Sequence, residues 1–570
     1  MDSKVMNPNQ SILNVIYKHT NHQFKHPSQV RTMDTSTITF QYQSSSSSSQ
    51  ESSTFSENSK LPIQLDEFNG HDSNVIDTCN QLLTNHSTTN ISTNHHVHDC
   101  LQLLSLIYKS NQKLNFIIDP LELINTKLQS KVNRQLQDVY SLFSKTLPDW
   151  IDHYMSNYSF LFSYQIRKLY FDLTTLGLSR SLAKSSSSFV HNNNPLSFGN
   201  GSNHDLKHVI KIDKIKIKLA RDDHLLQSAF MIFEKHQDTK SVIEFEYLNE
   251  IGTGLGPTAE FYSLISTELT NPNLQIWNEN VKNELFPKAI MDPVLLSRAI
   301  KIFEFIGKFV ARALMDNRII DMPFHNCFLR LLQGQSLCFS DLMSIDSNYY
   351  NILNQIRTNP SCAPTFMCNM VLPGDDGIEL VPNGHQVDLM ESNSMIYVNR
   401  IAQIMLNDGI KNQVAAFQRG YDSILPSPGI SSWKMFSTIE LDDMVSGCDE
   451  IWNVDNLVNA TKCDHGFSHN SKTVRWLFKV MCELDKQEKR LFVKFLTGSP
   501  KLPSGGIKNL NPKLTIVLKI TEGGGTSDQY LPSVMTCTNY LKLPDYSNEF
   551  VLKEQLLKAI RMGQNAFLLS

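Results

Sequence analysis

Residues 531–546 read LPSVMTCTNYLKLPDY and hold one cysteine, Cys537, near the end of the 570-residue chain. Pro532 and Pro544 bracket this stretch, which predicts a short exposed loop leading into a short strand. Alternation along that strand would place Tyr540 and Lys542 on one face, so the face is not uniformly apolar. A thiolate in such a loop can carry an acyl group as a thioester. Cys537 is therefore the candidate nucleophile, and a buried structural thiol is the alternative.

The residues around Cys537 favour an acyl carrier over a hydrolase. A papain-like hydrolase needs a histidine that accepts the thiol proton. No histidine follows His469, and the spacing singles out neither His465 nor His469 for that role. Exchange of an acyl group between two thiols needs mainly proximity and a partly ionised attacker. A cysteine hydrolase remains an alternative that this pattern does not favour.

The composition narrows the class of protein. The formal net charge is -4, which does not predict a nucleic-acid partner. No apolar run reaches about 18 residues and the start does not resemble a secretory signal, so we expect no membrane partner. The ten cysteines include no C-x-x-C pair, which argues against zinc-ribbon and thioredoxin-like sites. We expect no metal, no organic cofactor, and a cytoplasmic or nuclear location.

Changes in composition divide the chain. Residues 1–98 are rich in Ser, Asn, Thr, Gln and His, and we expect them to be disordered. Apolar spacing predicts helices at 101–108, 120–147 and 160–182, within a helical accessory region at 99–205 whose end, 185–205, is a polar linker. Four residues of types that can bind a metal ion lie close together: His95, His96, His98 and Cys100. Metal binding and the biased composition of this segment are the two interpretations.

From residue 206 onward the chain has no further long polar break. Helical patterns dominate up to about 500, and strand-like runs occur at 241–247 and 514–520. The apolar face of the helix predicted at 297–315 is especially clear. The last predicted helix, 548–562, would end at Gly563.

A glycine cluster, GTGLGP at 252–257, follows one predicted strand and precedes a predicted helix at 258–269. Its G-x-G-x-G spacing differs from the G-x-G-x-x-G of dinucleotide sites, and no Gly-Lys-Ser/Thr follows. We interpret it as a tight turn, with Pro257 at the helix start, rather than as a phosphate loop.

Several ordered sequence blocks together resemble HECT-type ubiquitin ligases. The stretch 531–546 resembles the L-P-x-x-x-T-C-x-N-x-L-x-L-P-x-Y active-site frame of that family, and the resemblance covers roughly residues 220–570. The other blocks are EIG and EFY within 250–262, FIGK at 305–308, LVPNG at 380–384, AFQRGY at 416–421, FLTGS at 495–499 and PKLTI at 512–516.

The resemblance implies an α+β fold with two lobes. A mostly helical N-lobe (206–460) would dock a ubiquitin-conjugating enzyme, and a smaller α/β C-lobe (461–570) would carry the nucleophile. The hinge between them would lie near 459–466. A protein of this family accepts ubiquitin on its cysteine as a thioester and transfers it to substrate lysines, commonly for proteasomal degradation. The expected partners are therefore ubiquitin, a conjugating enzyme and protein substrates.

The resemblance also implies roles for individual residues. Cys537 would carry ubiquitin, and Thr536 and Asn539 would shape its loop. Phe567 matches the family's C-terminal aromatic, which helps lock the lobes during transfer. Tyr397 and Ile401 would belong to the apolar patch that meets the conjugating enzyme, with a helical core face as the alternative.

Two positions depart from the commonest family pattern. Met535 stands where many members have His, and Ala259 stands where many have Arg. Both departures, together with NYLKLPDY at 539–546, resemble the ubiquitin-fusion-degradation and thyroid-receptor-interacting-protein branch. The armadillo-type repeats expected upstream in that branch are absent from this sequence. A scaffold that binds ubiquitin or a conjugating enzyme without transfer is an alternative, although Cys537 and Phe567 argue against it.

Overall fold

The computed structural model describes residues 76, 79, 95–113, 118–176 and 213–562, apart from 223, 240, 249, 251–254, 279–280, 282–283, 426–427, 521–525 and 537. The segment expected to be disordered lies almost wholly outside the described residues. Cys537, Gly563 and Phe567 also lie outside them. The chain divides into two units: the first comprises 1–133 and 148–163, and the second 134–147 and 164–570.

Among the described residues before the first strand there are five helices: α1 (His95–Lys113), α2 (Thr126–Leu136), α3 (Val139–Ser144), α4 (Asp149–Asn157) and α5 (Tyr164–Phe171). The helix predicted at 101–108 is confirmed. The helix predicted at 160–182 is confirmed only from Tyr164 to Leu176, where α5 continues into a π-helical turn (Asp172–Leu176), and 177–182 lie outside the described residues. The stretch predicted as one helix, 120–147, is instead a 3₁₀ turn followed by α2 and α3. In the first unit, Asn125 donates its backbone N–H to Leu161, and the Tyr108 and Phe160 rings stack 4.8 Å apart.

The second unit continues with a parallel strand pair, β1 (Lys214–Leu219) and β2 (Val242–Tyr247). A short antiparallel pair follows later, β3 (Val371–Leu372) and β4 (Asp375–Glu379). The part of 225–446 that the structure describes contains nine helices: α6 (Leu225–Lys235), α7 (Leu255–Leu269), α8 (Pro293–Met315), α9 (Asn326–Leu332), α10 (Leu342–Ile345), α11 (Ser347–Thr358), α12 (Ser394–Gln403), α13 (Lys411–Ile424) and α14 (Thr438–Ser446). We call residues 213–446 the helical part.

The centre of the helical part is the crossing of α8 and α13. The apolar face predicted for α8 is confirmed, with Ile306, Phe309 and Val310 fully buried. Two glycines permit the close approach of the helices. A Cβ on Gly307 would lie 2.0 Å from the Phe417 carbonyl oxygen, and one on Gly420 would lie 1.9 Å from that of Glu304. Any larger residue at either position would push the helices apart.

The C-terminal residues form a four-stranded sheet with four helices. The sheet order is β5-β6-β8-β7, in which only the β7–β8 pair is antiparallel. Its strands are β5 (Lys462–Asp464), β6 (Thr515–Leu518), β7 (Ser533–Met535) and β8 (Tyr540–Leu543), and its helices are α15 (Val454–Ala460), α16 (Lys472–Glu483), α17 (Lys486–Thr497) and α18 (Glu549–Met562). We call residues 448–562 the sheet part.

The sheet part has its own apolar core, and this core begins before the predicted lobe boundary at 460. Trp452, Leu457 and Ala460 pack in the same cluster as Leu541 and Leu556. The expected hinge at 459–466 instead contains the end of α15 and all of β5. The division into lobes stays a prediction, and the shared core favours a boundary nearer Gly447.

Candidate functional site

The loop that contains Cys537 joins two antiparallel strands. Met535 pairs with Tyr540, so residues 536–539 connect β7 to β8. Thr538 donates its backbone N–H to the Met535 carbonyl over 3.2 Å, which closes the turn. In β8, Leu541 and Leu543 are buried while Tyr540 and Lys542 are partly exposed. The short loop and the strand after it are confirmed at the described residues. The predicted exposure is not, because Thr536 and Thr538 are partly buried, Asn539 is buried, and Ser533–Met535 form a further strand.

Asn539 anchors this loop to the neighbouring strand. Its side-chain amide donates to the Pro512 carbonyl over 2.6 Å, and its carbonyl accepts from the backbone N–H of Thr515 over 3.0 Å. Its φ is 52°, a left-handed conformation that Asn tolerates better than most residues. The side chain is buried. These contacts are what the predicted role of Asn539 in shaping the loop requires.

Thr536 lies at the contact between the sheet part and the helical part. A Cβ on Gly256, in the first turn of α7, would lie 3.1 Å from the Thr536 Oγ1 atom. Gly256 is buried, whereas Thr536 is partly exposed. The residue next to Cys537 in the chain therefore rests against the glycine turn of the helical part.

The second half of the sequence frame secures the base of the strand pair. The Tyr546 hydroxyl donates to the Tyr530 carbonyl over 2.8 Å, and Asp545 accepts from the Thr473 hydroxyl. Lys519 donates to the Leu531 carbonyl over 2.9 Å. Burial lowers the pKa of Lys519, and the charge of Lys542 lowers it further. Sequence reasoning missed Thr473 and Lys519, because nothing in their local sequence indicates a partner so far along the chain.

For Tyr397 and Ile401 the sequence left two interpretations, an apolar patch that meets the conjugating enzyme or a helical core face, and the structure places both side chains in the core. They are 3% and 0% exposed. The Cys368 thiol lies 3.7 Å from the Tyr397 hydroxyl, and burial strongly raises the pKa of Tyr397. The alternative of a helical core face therefore describes this side of α12.

Other apolar side chains near α12 are exposed. Met395 and Ile396, on the helix itself, are 42% and 50% exposed. Met390, just before the helix, is 46% exposed, and Met367 is 93% exposed. Apolar residues stand on both sides of α12, so spacing alone did not distinguish the buried side from the exposed one.

The other cysteines of the sheet part are poor nucleophiles. All nine cysteines within the described residues are free thiols. Burial raises the pKa of Cys448 and Cys482, and raises that of Cys463 to about 11. A thiol with a raised pKa is almost wholly protonated at neutral pH and reacts slowly. These three thiols are therefore poor candidates for an acyl carrier.

Comparison with protein families matches residues 263–570 to HECT-domain (ubiquitin-transferase). This match covers more than half of the 570 residues. The fold, with a helical part and a smaller sheet part, agrees with the resemblance in the sequence. The chain belongs to the HECT-domain family.

Curated relatives place the chain within a branch of that family. It is 32% identical over 506 residues to E3 ubiquitin-protein ligase TRIP12 of Danio rerio, covering 80% of this chain and 24% of the relative. It is 35% identical over 470 residues to a probable ubiquitin fusion degradation protein of Schizosaccharomyces pombe, covering 78% and 28%. It is 32% identical over 503 residues to ubiquitin fusion degradation protein 4 of Saccharomyces cerevisiae, covering 83% and 33%. The predicted branch is confirmed, and the chain spans about a quarter to a third of the length of these relatives.

Two searches of the described residues concern membranes and metals. No helix there is both long enough and apolar enough to span a bilayer. Nor do three or more His, Cys, Asp or Glu residues gather there in a way that would hold a metal ion.

Proposed function

We propose that this protein is a ubiquitin-protein ligase that carries ubiquitin as a thioester on Cys537. The observation that carries the proposal is the anchored loop at 536–539, in a chain of the HECT-domain family. Asn539 fixes the loop from inside through the Pro512 carbonyl. Thr536 faces the helical part. Anchored residues on both sides of Cys537 support its role as a carrier of an acyl group, because such a carrier must be held in position.

The loading step would exchange one thioester for another. The Cys537 thiolate attacks the carbonyl carbon of ubiquitin bound to the conjugating enzyme, and the enzyme's cysteine leaves as a thiolate. One C–S bond forms as another breaks, so the exchange is close to balanced in energy. Such a reaction needs alignment of the two sulfurs more than strong acid–base catalysis. This agrees with a loop that follows the last histidine of the sequence, His469.

The transfer step would form an amide. A substrate lysine, as the neutral amine, attacks the thioester carbonyl; an amide bond forms, the C–S bond breaks, and Cys537 leaves as a thiolate. The amine loses its proton to solvent. Because two of the relatives carry the name ubiquitin fusion degradation protein, we propose that the modified substrates are directed to proteasomal degradation. Phe567 would help hold the transfer arrangement.

We propose that the conjugating enzyme docks on exposed apolar side chains of α12. Met395 and Ile396 supply an apolar surface on a helix whose opposite side is fixed in the core by Tyr397 and Ile401. Exposed apolar groups on a rigid helix are suited to a transient protein partner. The expected partners are thus ubiquitin, a conjugating enzyme and protein substrates, in the cytoplasm or nucleus.

The deciding test is a thioester assay with the full chain. Incubation with a charged conjugating enzyme should give a ubiquitin adduct that thiol reductant removes. The Cys537→Ala variant should give none, whereas Cys537→Ser should give an oxyester that resists the reductant. Cys463→Ala is the matched control and should load like the wild type. An adduct on Cys537→Ala, or no adduct on the wild type, would contradict the proposal. Binding without loading would favour the scaffold alternative.

A further inference from the structure

The glycine turn before α7 has no role in the function proposed so far. The sequence cluster indicated only a tight turn. Of its three glycines, Gly252 and Gly254 lie outside the described residues, while Gly256 is buried in the first turn of α7. The contact of Gly256 with Thr536 indicates a role for this glycine in the proposed reaction.

Gly256 is required for space rather than for backbone conformation. Its φ does not lie in the left-handed region that favours glycine. A Cβ at this position would lie 3.1 Å from the Thr536 Oγ1 atom, closer than ordinary van der Waals contact. The Thr536 oxygen can leave this position by rotation about χ1, which brings the Cγ2 methyl group or the hydrogen towards α7, or by a small shift of the loop. One added methyl group would therefore change either the rotamer of Thr536 or the position of the loop that it belongs to.

The helical side of this contact is firmly held. The Phe261 ring of α7 stacks on the Phe245 ring of β2 at 3.7 Å. The Thr258 hydroxyl accepts the backbone N–H of Phe245 over 3.0 Å. With α7 tied to β2 within one turn of Gly256, the helix start cannot yield easily to the loop.

The guanidinium group of Arg221 also forms ion pairs with residues on both sides of the turn, Glu250 and Glu260. Arg221 lies 4.0 Å above the ring of Tyr247. It bonds Glu250, which precedes the turn, at 2.8 Å, and it also pairs with Glu260 of α7. Both ends of the segment 251–259 are thus tied to one side chain at the end of β1. This arrangement holds Glu250 and the start of α7 against the end of β1.

We propose that Gly256 is a positioning residue that seats the active-site loop for transfer of ubiquitin from Cys537 to lysine. The inference rests on the proposed function. In the loading step, the conjugating enzyme must bring its own active-site surface against the loop. In the transfer step, only a lysine side chain has to reach the thioester. A loop already seated on α7 suits the second step, because restraint of the thioester raises the effective concentration of the attacking amine.

The test separates the two steps in single-turnover experiments on the full chain. Wild type and Gly256→Ala are first loaded with labelled ubiquitin, and the loading rate is measured. Loading is then stopped, free lysine is added, and loss of the thioester is followed. We expect Gly256→Ala to load within about 2-fold of the wild type and to discharge about 10-fold more slowly, as for a small misplacement of reacting groups. Normal loading also reports that the variant is folded.

Double variants identify the contact itself. The change Gly256→Ala should slow discharge much less in a Thr536→Ala background, where the oxygen is gone. It should slow discharge fully in a Thr536→Val background, where a methyl group takes the place of the oxygen. A Cβ on the residue before Pro257 also disfavours the helical backbone conformation, and this effect would be the same in every Thr536 background. The two substitutions at Thr536 therefore distinguish the contact with Thr536 from the conformational cost at residue 256.

Two results would overturn the inference: unchanged discharge in Gly256→Ala, whether loading is normal or faster, and equal slowing of discharge in both Thr536 backgrounds. Faster loading with unchanged discharge would mean that the contact between Gly256 and Thr536 belongs to the protein before loading and not to the transfer step. These failures differ from failure of the proposed function, in which the wild type itself would not load.

Discussion

At the scale of single residues, Asn539 shows how one side chain can fix the loop at 536–539, which we propose as the active-site loop. It combines a left-handed backbone with a buried amide that donates to Pro512. Removal of the side chain should cost about 1–3 kcal/mol, because the Pro512 carbonyl loses its partner.

Two substitutions separate the contributions of Asn539. Asn539→Gly keeps the left-handed backbone accessible and loses only the hydrogen bond, whereas Asn539→Ala loses both. We expect unfolding free energies, measured with denaturant, in the order wild type, Gly, Ala, with thioester loading falling in the same order. An alanine variant as stable as the glycine variant would mean that the backbone at 539 is not strained.

The sequence predicted those features of the site that depend on residues close together in the chain. The frame at 531–546 predicted the loop, the strand after it and a role for Asn539 beside Cys537. It could not predict that Pro512 would receive the Asn539 amide, since that contact joins residues 27 positions apart. Nor could the sequence decide between an apolar patch and a core face for Tyr397 and Ile401, because a helix with apolar residues on both sides does not reveal which side the rest of the fold covers.

At the scale of elements, α5 joins the segment upstream of the family match to the helical part. Arg167 of α5 donates to both carboxylate oxygens of Glu440, at 2.8 and 2.7 Å. It also donates to the Met435 carbonyl over 2.7 Å, and its guanidinium lies 5.8 Å from the Phe436 ring centre. Glu440 in turn caps α14 through Ser437. The folded unit therefore begins well before residue 263, where the family match starts.

Arg167→Ala should lower the free energy of unfolding by about 3 kcal/mol, because it removes the cation paired with Glu440 and the donor to the Met435 carbonyl in a largely buried position. The matched control is Lys168→Ala on the same helix. Lys168 pairs with Asp172 at 2.5 Å with both side chains more accessible than Arg167, and its loss should cost at most about 1 kcal/mol. Denaturant unfolding of both variants checks this. Equal effects would mean that α5 contributes little to the unit.

At the scale of the whole molecule, the passage from the helical part to the sheet part occurs at Gly447. This residue ends α14 with φ 75° and ψ 172°, a conformation reserved largely for glycine. Directly after it, Cys448 exchanges two backbone hydrogen bonds with Leu502, at 2.8 and 3.2 Å. Gly447 is thus the last residue before the chain is tied to the sheet part, which is why we place the boundary between lobes here rather than at 460.

Gly447→Ala should destabilise the protein and slow ubiquitin transfer together. A Cβ there would lie 2.5 Å from the Leu502 carbonyl oxygen and 2.9 Å from Ile319 Cγ2, so the change adds a clash to backbone strain. We expect a loss of about 3 kcal/mol in denaturant unfolding. Gly374→Ala is the matched control: its φ is 85°, yet a Cβ there has no neighbour within 4 Å. That variant should lose about 1 kcal/mol from backbone strain alone and keep its discharge rate. If both variants behaved alike, Gly447 would matter only for its own backbone, and the junction of the two parts would lie elsewhere.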